Sequence, residues 1–452
     1  MTYEIELKLR FDPVQADILA AAIGARAQAG RQSRLNNTYY DTPDGRLSAA
    51  GCALRIRQKG PNNWEQTLKT RGQSIGGLQQ RREWNWPLQR NALDFGLLNS
   101  AEVQEHWPAS VDTQALVPLF STGFQRHAWI WEMGTSKAEV VMDRGVVRAG
   151  DLSTPLCEVE LELLDGSPEV LWWMASSLCS SVPLWLSDIS KAERGFRLVG
   201  LGKRWQPSQG ALLGTRAEQE MQSRYGFGSP LALADSFRFM KRALEDCLWE
   251  EQFGDAGPAL EYILAFFTLA TANPANVASL PRVALMQPLL TLACASAVAA
   301  ANPDSELERR NALQQIHELR SQAALAQQLL ALAEWMWQQA VSEAPAVTIS
   351  VEQMLERIRP DIHAQGTNGW LDGPQNLVLL ALLAPWLDDS LHGPARDARD
   401  QFADQLLLTG WRQAGLPLAA DARQRQQDMA ERHQRLLAAV DNLLASDSFS
   451  DT

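Results

Sequence analysis

Glu4-Ile5-Glu6-Leu7-Lys8-Leu9-Arg10 alternates charged and apolar residues without a break. Successive strand side chains point to opposite faces, so the stretch predicts a β-strand with Ile5, Leu7 and Leu9 on one face. Glu4, Glu6, Lys8 and Arg10 share the other. Two carboxylates two residues apart, followed by a lysine, set oxygen ligands and an ammonium about 7 Å apart along the strand. That is half of a site for a cation bound to a phosphate chain. A strand with one solvated face has the same alternation, and recurrence of the pattern is what separates the two readings.

The pattern recurs over about the first 200 residues. Asp12-Pro13 starts an amphipathic helix that runs to about Ile23. Strands are expected over 34–42, 53–59, 64–70, 79–86, 123–132, 138–144 and 156–164. Pro43-Asp44-Gly45 and Gly60-Pro61-Asn62-Asn63 are turn sequences, 71–77 is a glycine-rich loop, and 87–120 reads as helix and loop. One strand face carries Arg55, Arg57 and Lys59, then Glu65 and Lys69, then Arg81 and Glu83, then Arg126, Asp143, Glu158, Glu160 and Glu162. The other carries Leu54, Ile56, Leu68, Trp84, Trp86, Val159, Leu161 and Leu163, and needs helices to cover it. A helix from about Pro168 and the segment Leu186 to Gly195 follow. Eight antiparallel strands with both signs of charge on one face point to a closed barrel holding those charges inside.

Bulk properties agree with a folded, multi-domain chain. Its 452 residues suffice for two or three cores, and 46% hydrophobic with 21% charged residues is globular composition. A net charge of −12 argues against a general nucleic-acid binder. The five cysteines (Cys52, Cys157, Cys179, Cys247, Cys294) are scattered, with no Cys-x-x-Cys pair, so neither disulfides nor zinc are expected and a reducing cytoplasm fits. The charged first strand leaves no signal peptide. Residues 283–301 carry no charge, but their alanine content, Gln287 and Pro288 make a buried helix rather than a membrane span.

If the charged faces converge, the lumen holds Lys8, Arg55, Arg57, Lys69, Arg81, Arg126 and Lys191 against Glu4, Glu6, Glu65, Glu83, Asp143, Glu158, Glu160 and Glu162. A dry lumen would cost several kcal/mol for each desolvated ion, whereas metal ions and a polyanion offset that cost. Oxygen-only ligands, with no His or Cys near, select Mg²⁺ or Mn²⁺. Arginines suit bidentate phosphate contacts and lysines act on phosphate as point charges.

Glu4-x-Glu6-x-Lys8, Leu54-Arg55-Ile56-Arg57, Thr67-Leu68-Lys69, Arg81-x-Glu83, Arg126, Asp143, Glu158-x-Glu160-x-Glu162 and Ser190-Lys191 together resemble the CYTH superfamily, the triphosphate tunnel metalloenzymes, over about residues 1–200. The resemblance implies a tunnel that binds a linear triphosphate and hydrolyses its terminal phosphate with Mg²⁺ or Mn²⁺. It implies that Lys8, Arg55, Arg57, Lys69 and Arg126 cradle the triphosphate, with Arg81 beside it. Glu4 and Glu6 would hold one metal and help position a water, and Glu158 and Glu160 would bind a metal on the opposite wall. Glu162 would join them or stand behind them, Asp143 would assist metal or water, and Lys191 would contact a terminal or leaving phosphate. Glu65 and Glu83 are expected to pair with Lys69 and Arg81.

Beyond Gly202 the composition turns to Ala, Leu and Gln, and helices are expected over 213–225, 231–253, 258–271, 281–301, 305–341, 350–358, 374–390, 394–413 and 419–445. The fold class is therefore α+β: an eight-stranded antiparallel barrel with flanking helices over 1–201, a linker over 202–212, and an all-α helical bundle over 213–452. A bundle in this place resembles the CHAD domain, as in bacterial CYTH–CHAD inorganic triphosphatases. Residues 201–452 hold 20 Lys and Arg against 30 Asp and Glu, a surface that repels polyphosphate at ordinary salt. His317-Glu318-Leu319-Arg320 reads as an exposed helix face, and Trp335, Trp337, Trp370, Trp386 and Trp411 as core. Three functions fit the tunnel: hydrolysis of inorganic triphosphate, thiamine-triphosphate hydrolysis or adenylate cyclisation, and polyphosphate binding without turnover. A pure anion binder gains nothing from Glu4, Glu6, Glu158 and Glu160.

Overall fold

The computed structural model describes residues 2–70, 72–202, 230–251, 256–272, 279–281, 284, 286–341, 351–387, 393–413 and 420–445. Two compact units divide the chain, with the boundary at Gln206–Pro207. The first unit contains strands β1 (Thr2–Arg10), β2 (Gln28–Asp41), β3 (Ala53–Gly60), β4 (Asn63–Lys69), β5 (Gln73–Ile75), β6 (Leu78–Leu88), β7 (Val117–Met133), β8 (Ser136–Ala149), β9 (Leu152–Asp165) and β10 (Trp185–Leu186). Eight of them form a closed antiparallel barrel in the order β1-β9-β8-β7-β2-β3-β4-β6, with β6 returning to β1. β1 closes the ring: Lys8 lies opposite Glu160 of β9, and Glu4 opposite Arg81 of β6.

The alternation in the sequence decides which side faces the bore. Leu54, Leu68 and Trp84 point outward and pack with Leu47 of α2 (Arg46–Ala49), Leu98, Val111 and Val103 of α3 (Ala101–Gln104). Leu7, Leu9, Val159 and Leu161 are fully buried on the outer face. There α4 (Glu169–Cys179) covers β1 and β9, and α1 (Ala16–Gly24) packs beside α4.

The final helix of the unit, α5 (Lys191–Leu198), enters one end of the barrel. Ser190 caps it, its hydroxyl accepting from the Glu193 amide at 3.1 Å. Phe196 joins the lumen-facing residues Tyr39, Phe120, Val147 and Ala149 in one apolar cluster. Tyr39 and Phe120 stack at 4.8 Å, and Phe196 meets Phe120 edge-on at 4.9 Å. Gly195 permits the approach, since a Cβ there would lie 1.9 Å from the Phe120 ring. Gly195→Ala is therefore expected to lift α5 and destabilise the unit by about 1–3 kcal/mol, read by thermal denaturation. Adding Phe120→Leu should recover part of the loss; equal melting of wild type and the single variant would dismiss the contact.

Several boundaries differ from the sequence reading, and β8 and β9 run four to five residues further toward their shared hairpin than expected. β2 begins at Gln28, because the polar run before Arg34 is held by pairing with β7, through a bulge between Ala29 and Gln32. The glycine-rich loop contains β5, and β7 starts at Val117.

The second unit has no strand among its described residues and is built of helices: α6 (Pro230–Trp249), α7 (Ala256–Ala272), α8 (Met286–Ala301), α9 (Glu306–Arg320), α10 (Ala323–Val341), α11 (Val351–Leu371), α12 (Pro374–Leu387), α13 (Gly393–Gln413) and α14 (Ala420–Ala445). The single helix expected over 305–341 is two, broken at Ser321 and Gln322. The helix expected to end before Pro360 runs through it to Leu371, with a kink at Gly366 (φ 71°). Trp335, Trp337 and Trp370 are core, and His317 is exposed beside Glu251. No described helix is long and apolar enough to cross a membrane. The expected helix over 213–225, residues 203–212 of the linker, and Arg71 lie outside the described residues.

Candidate active site

Three adjacent strands build the acidic side of the bore. Asp143 of β8 stands opposite Arg126 of β7 on one side and Glu158 of β9 on the other, and Glu160 follows two residues along. Carboxylate oxygens of Asp143, Glu158 and Glu160 lie within 4.8 Å of one another. Into this group α5 inserts Lys191, whose ammonium donates to Glu158 Oε1 and to Glu160 Oε1 at 3.1 Å, and lies 2.8 Å from Asp143 Oδ2. Arg126 forks onto Asp143 at 2.8 and 2.6 Å and reaches Glu160 at 3.0 Å. One helical turn after Lys191, Arg194 places Nη2 2.8 Å from Glu158 Oε2.

β1 and its neighbours on the other side supply a second charged layer. Lys8 lies 3.6 Å from Glu6 and 3.4 Å from Glu160. Glu4 accepts from Lys69 at 2.9 and 3.0 Å and from Arg81 Nε at 2.8 Å, while Arg81 Nη2 donates to Glu6 at 2.6 Å. Glu83 pairs with Lys69 at 2.8 Å and with Arg55 at 3.8 Å. Arg57 donates to Asn37 Oδ1 at 2.8 Å, and Asn37 donates in turn to Thr122 Oγ1.

These pairings set the protonation states. Burial alone would raise the Asp143 carboxyl, but Lys191 and Arg126 hold it below its ordinary value. Burial likewise opposes ionisation of Glu160, and Lys191, Lys8 and Arg126 outweigh it, keeping the group well below the usual range. The Lys191 ammonium is raised, because Asp143, Glu158 and Glu160 outweigh its burial. Arg57 goes the other way: burial, then the charges of Arg55 and Arg126, lower it to about 9. Burial pushes the Tyr39 phenol up, yet Arg55 beside it brings the net shift below ordinary.

Lys8, Arg55, Arg57, Lys69, Arg81, Arg126 and Lys191 thus meet Glu4, Glu6, Asp143, Glu158 and Glu160 in one barrel. Glu162 stands apart from the three clustered carboxylates, next to Glu4, Glu6 and Glu139. Glu65 pairs with Lys59 at 2.6 Å, not with Lys69, because its hairpin brings β3 back across it. Glu83 takes Lys69 and Arg55, and Arg81 turns to β1 instead. Sequence reasoning missed Arg194, Tyr39 and Asn37. Arg194 was legible as the residue three positions from Lys191 on one helix face.

Burial, then the charge of Glu4, push Glu162 up to about 7, with Glu6 and Glu139 adding and Lys69 opposing. The native state holds this proton more tightly than the unfolded chain, so stability falls as pH rises from about 4.5 to about 7. Glu162→Gln removes that cost. The metal-free variant should gain up to about 3 kcal/mol at pH 8 and nothing at pH 4, by denaturant unfolding. A gain of the same size at both values would mean that proton linkage is not its source.

The CYTH domain model matches residues 2–196. This region is similar to CYTH domains. An inorganic triphosphatase of Haemophilus influenzae is 35% identical over 200 residues, which cover 44% of this chain and 55% of that protein, so the match spans about half of the relative's length. Among solved structures, a candidate adenylyl cyclase from Hippeastrum with a dominant triphosphatase activity is 22% identical, covering 44% of this chain and 96% of that one at a TM-score of 0.35. A Pyrococcus horikoshii protein is 20% identical, covering 39% and 89%, with a TM-score of 0.28. The CYTH match ends before the helical unit begins.

Proposed function

We propose that the chain is a metal-dependent phosphoanhydride hydrolase that releases a terminal phosphate from inorganic triphosphate. The observation that carries this reading is the Lys191 ammonium, held by Asp143, Glu158 and Glu160 where a hard cation would sit. The donor set fits Mg²⁺ or Mn²⁺: it is oxygen-only, anionic and preassembled. The CYTH match and the Haemophilus inorganic triphosphatase support the choice of a triphosphate.

In this reading Asp143, Glu158 and Glu160 hold metal, with Glu4, Glu6 and Glu162 as further oxygen donors. Bound there, the ion supplies positive charge to phosphate oxygens and lowers the pKa of a water. Lys8, Arg55, Arg57, Lys69, Arg81 and Arg126 bind the non-bridging oxygens and spread the charge that develops during in-line displacement. Glu4 and Glu6 orient the attacking water, and Lys191 turns from the carboxylates to the terminal phosphate. We assign this chemistry to residues 1–201, a linker to 202–212 and a CHAD-like domain to 213–452, with a cytoplasmic setting.

The test is phosphate release from tripolyphosphate with Mg²⁺ or Mn²⁺. Release should stop in chelator and fall about 100-fold or more in Glu4→Ala, the loss of an oxygen donor that acts in the transition state. Equal release with and without metal, or by wild type and Glu4→Ala, would remove the assignment.

A further inference from the structure

Arg57 differs from the other cations of the bore in what holds it. Arg126, Arg81, Lys69, Lys8 and Lys191 each rest on carboxylates. Arg57 donates its Nε instead to Asn37 Oδ1 at 2.8 Å, and Asn37 Nδ2 donates to Thr122 Oγ1 at 2.8 Å. The three stand side by side in the sheet: Asn37 of β2 lies opposite Arg57 of β3 on one side and Thr122 of β7 on the other. Val147 of β8 comes next and offers no polar side-chain atom, so the relay ends at Thr122. Asn37 and Thr122 are each 1% exposed, so the protein rather than water supplies their partners. A guanidinium N–H requires oxygen at the facing end of the amide, and the amide nitrogen then requires an acceptor, which Thr122 supplies. Among the described residues, Nη1 and Nη2 of Arg57 have no such partner.

We propose that Asn37 is a positioning residue for substrate binding: its neutral amide, braced by Thr122, aims Arg57 at a phosphate without neutralising it. A carboxylate at this place would orient the guanidinium equally well and cancel its charge. The amide engages Nε alone, so the two terminal nitrogens stay available for parallel bonds to phosphate oxygens. Bracing matters because a loose arginine must be ordered when the anion arrives, and a placed one has met that cost already. It matters more here because Arg55 and Arg126 both repel Arg57 and would drive an unbraced side chain toward solvent. The ligand is that of the proposed function, a linear triphosphate, and the inference rests on that reading.

The experiment uses the full-length protein and reads three quantities: KM for tripolyphosphate with Mg²⁺, tripolyphosphate affinity in chelator by calorimetry, and the melting point in chelator. Asn37→Asp keeps the shape and the acceptor, and the Thr122 hydroxyl can turn to donate. Its KM should rise about tenfold, more than kcat changes, while it melts at or above the wild-type temperature. Thr122→Val removes the brace alone. Its KM should rise about threefold, and that rise should vanish in an Arg57→Ala background. Wild-type KM and affinity in Asn37→Asp, as for a purely structural amide, would overturn the proposal, and so would a Thr122→Val effect that persists without Arg57. Weaker tripolyphosphate binding by Asn37→Asp, in a protein that releases no phosphate under Mg²⁺ or Mn²⁺, would uphold the positioning role and fail the hydrolase reading alone. Absence of tripolyphosphate binding by wild type would end both.

Discussion

Lys191→Met is expected to melt roughly 10 °C below wild type in chelator at neutral pH, to regain most of that loss with Mn²⁺, and to lose phosphate release in either state. In the metal-free protein Lys191 is the shared partner of Asp143, Glu158 and Glu160. Methionine keeps the length of the side chain and removes the ammonium, leaving three buried carboxylates with Arg126, Arg194 and Lys8 as their remaining cations. Breaking a buried ion pair on one side costs about 3–5 kcal/mol, because the abandoned charge stays desolvated. The pH window follows from the shifts. Lys191 is raised, so its contribution is complete below about 10.5 and is lost as pH climbs through its higher native value. Asp143 and Glu160 are depressed, so theirs is present above about 4 and is lost on acidification. The deficit of the variant should therefore be full near pH 7.5 and shrink toward pH 3. Mn²⁺ should also raise its melting point more than that of wild type, where the ion must first displace an ammonium. A variant as stable as wild type in chelator would show that these carboxylates do not depend on Lys191.

The barrel could be read before its geometry was known because alternation survives in nearly every strand. Glu4-x-Glu6-x-Lys8, Arg55-x-Arg57 and Glu158-x-Glu160 each set like residues on one face, and the apolar residues between them had to be covered. Strand period therefore carried both the fold and most of the site. What alternation does not carry is partner choice. Glu65 stands opposite Arg57 in the β3–β4 ladder, yet its carboxylate takes Lys59, which lies two residues further along β3 beside the irregularity at the hairpin, and alternation alone cannot tell the two partners apart. Arg194 and Gly195 escaped notice for a related reason. Their roles come from α5 packing into the barrel end, a tertiary event whose local signals are the Ser190 cap and the three-residue spacing of Lys191 and Arg194 on one helix face. In the helical unit a break falls at Ser321, where no Gly or Pro stands, and a helix continues through Pro360, so breaker residues alone do not mark these boundaries.

Arg57→Ala should separate function from stability in the opposite sense to Lys191→Met: triphosphate affinity falls, and the metal-free fold is as stable as wild type or more so. Arg57 is the frustrated cation of the bore. Among the described residues no carboxylate stands within ion-pair distance of it, and its hydrogen bond goes to the neutral Asn37. Burial and the neighbouring Arg55 and Arg126 oppose its charge and bring it down to about 9. Removing it relieves that repulsion, whereas removing Arg126 would strip Asp143 of a two-pronged partner. The sign is checkable by pH. A base depressed in the fold costs stability below its native value, and the cost fades as pH rises from about 9 toward 12.5. Any stability advantage of Arg57→Ala should thus be largest near neutrality and shrink above pH 9, in parallel denaturant titrations. A bound polyanion reverses the balance, since its charge supplies what the protein withholds. A hydrogen bond to a charged group contributes about 1.5–3 kcal/mol, so KM for tripolyphosphate should rise about 10- to 100-fold, with Arg126→Ala as the destabilised comparison. Unchanged KM, or a fall in stability matching that of Arg126→Ala, would mean that Arg57 is a structural cation already satisfied by its surroundings, and the bore would then lose its main reason to attract an anion.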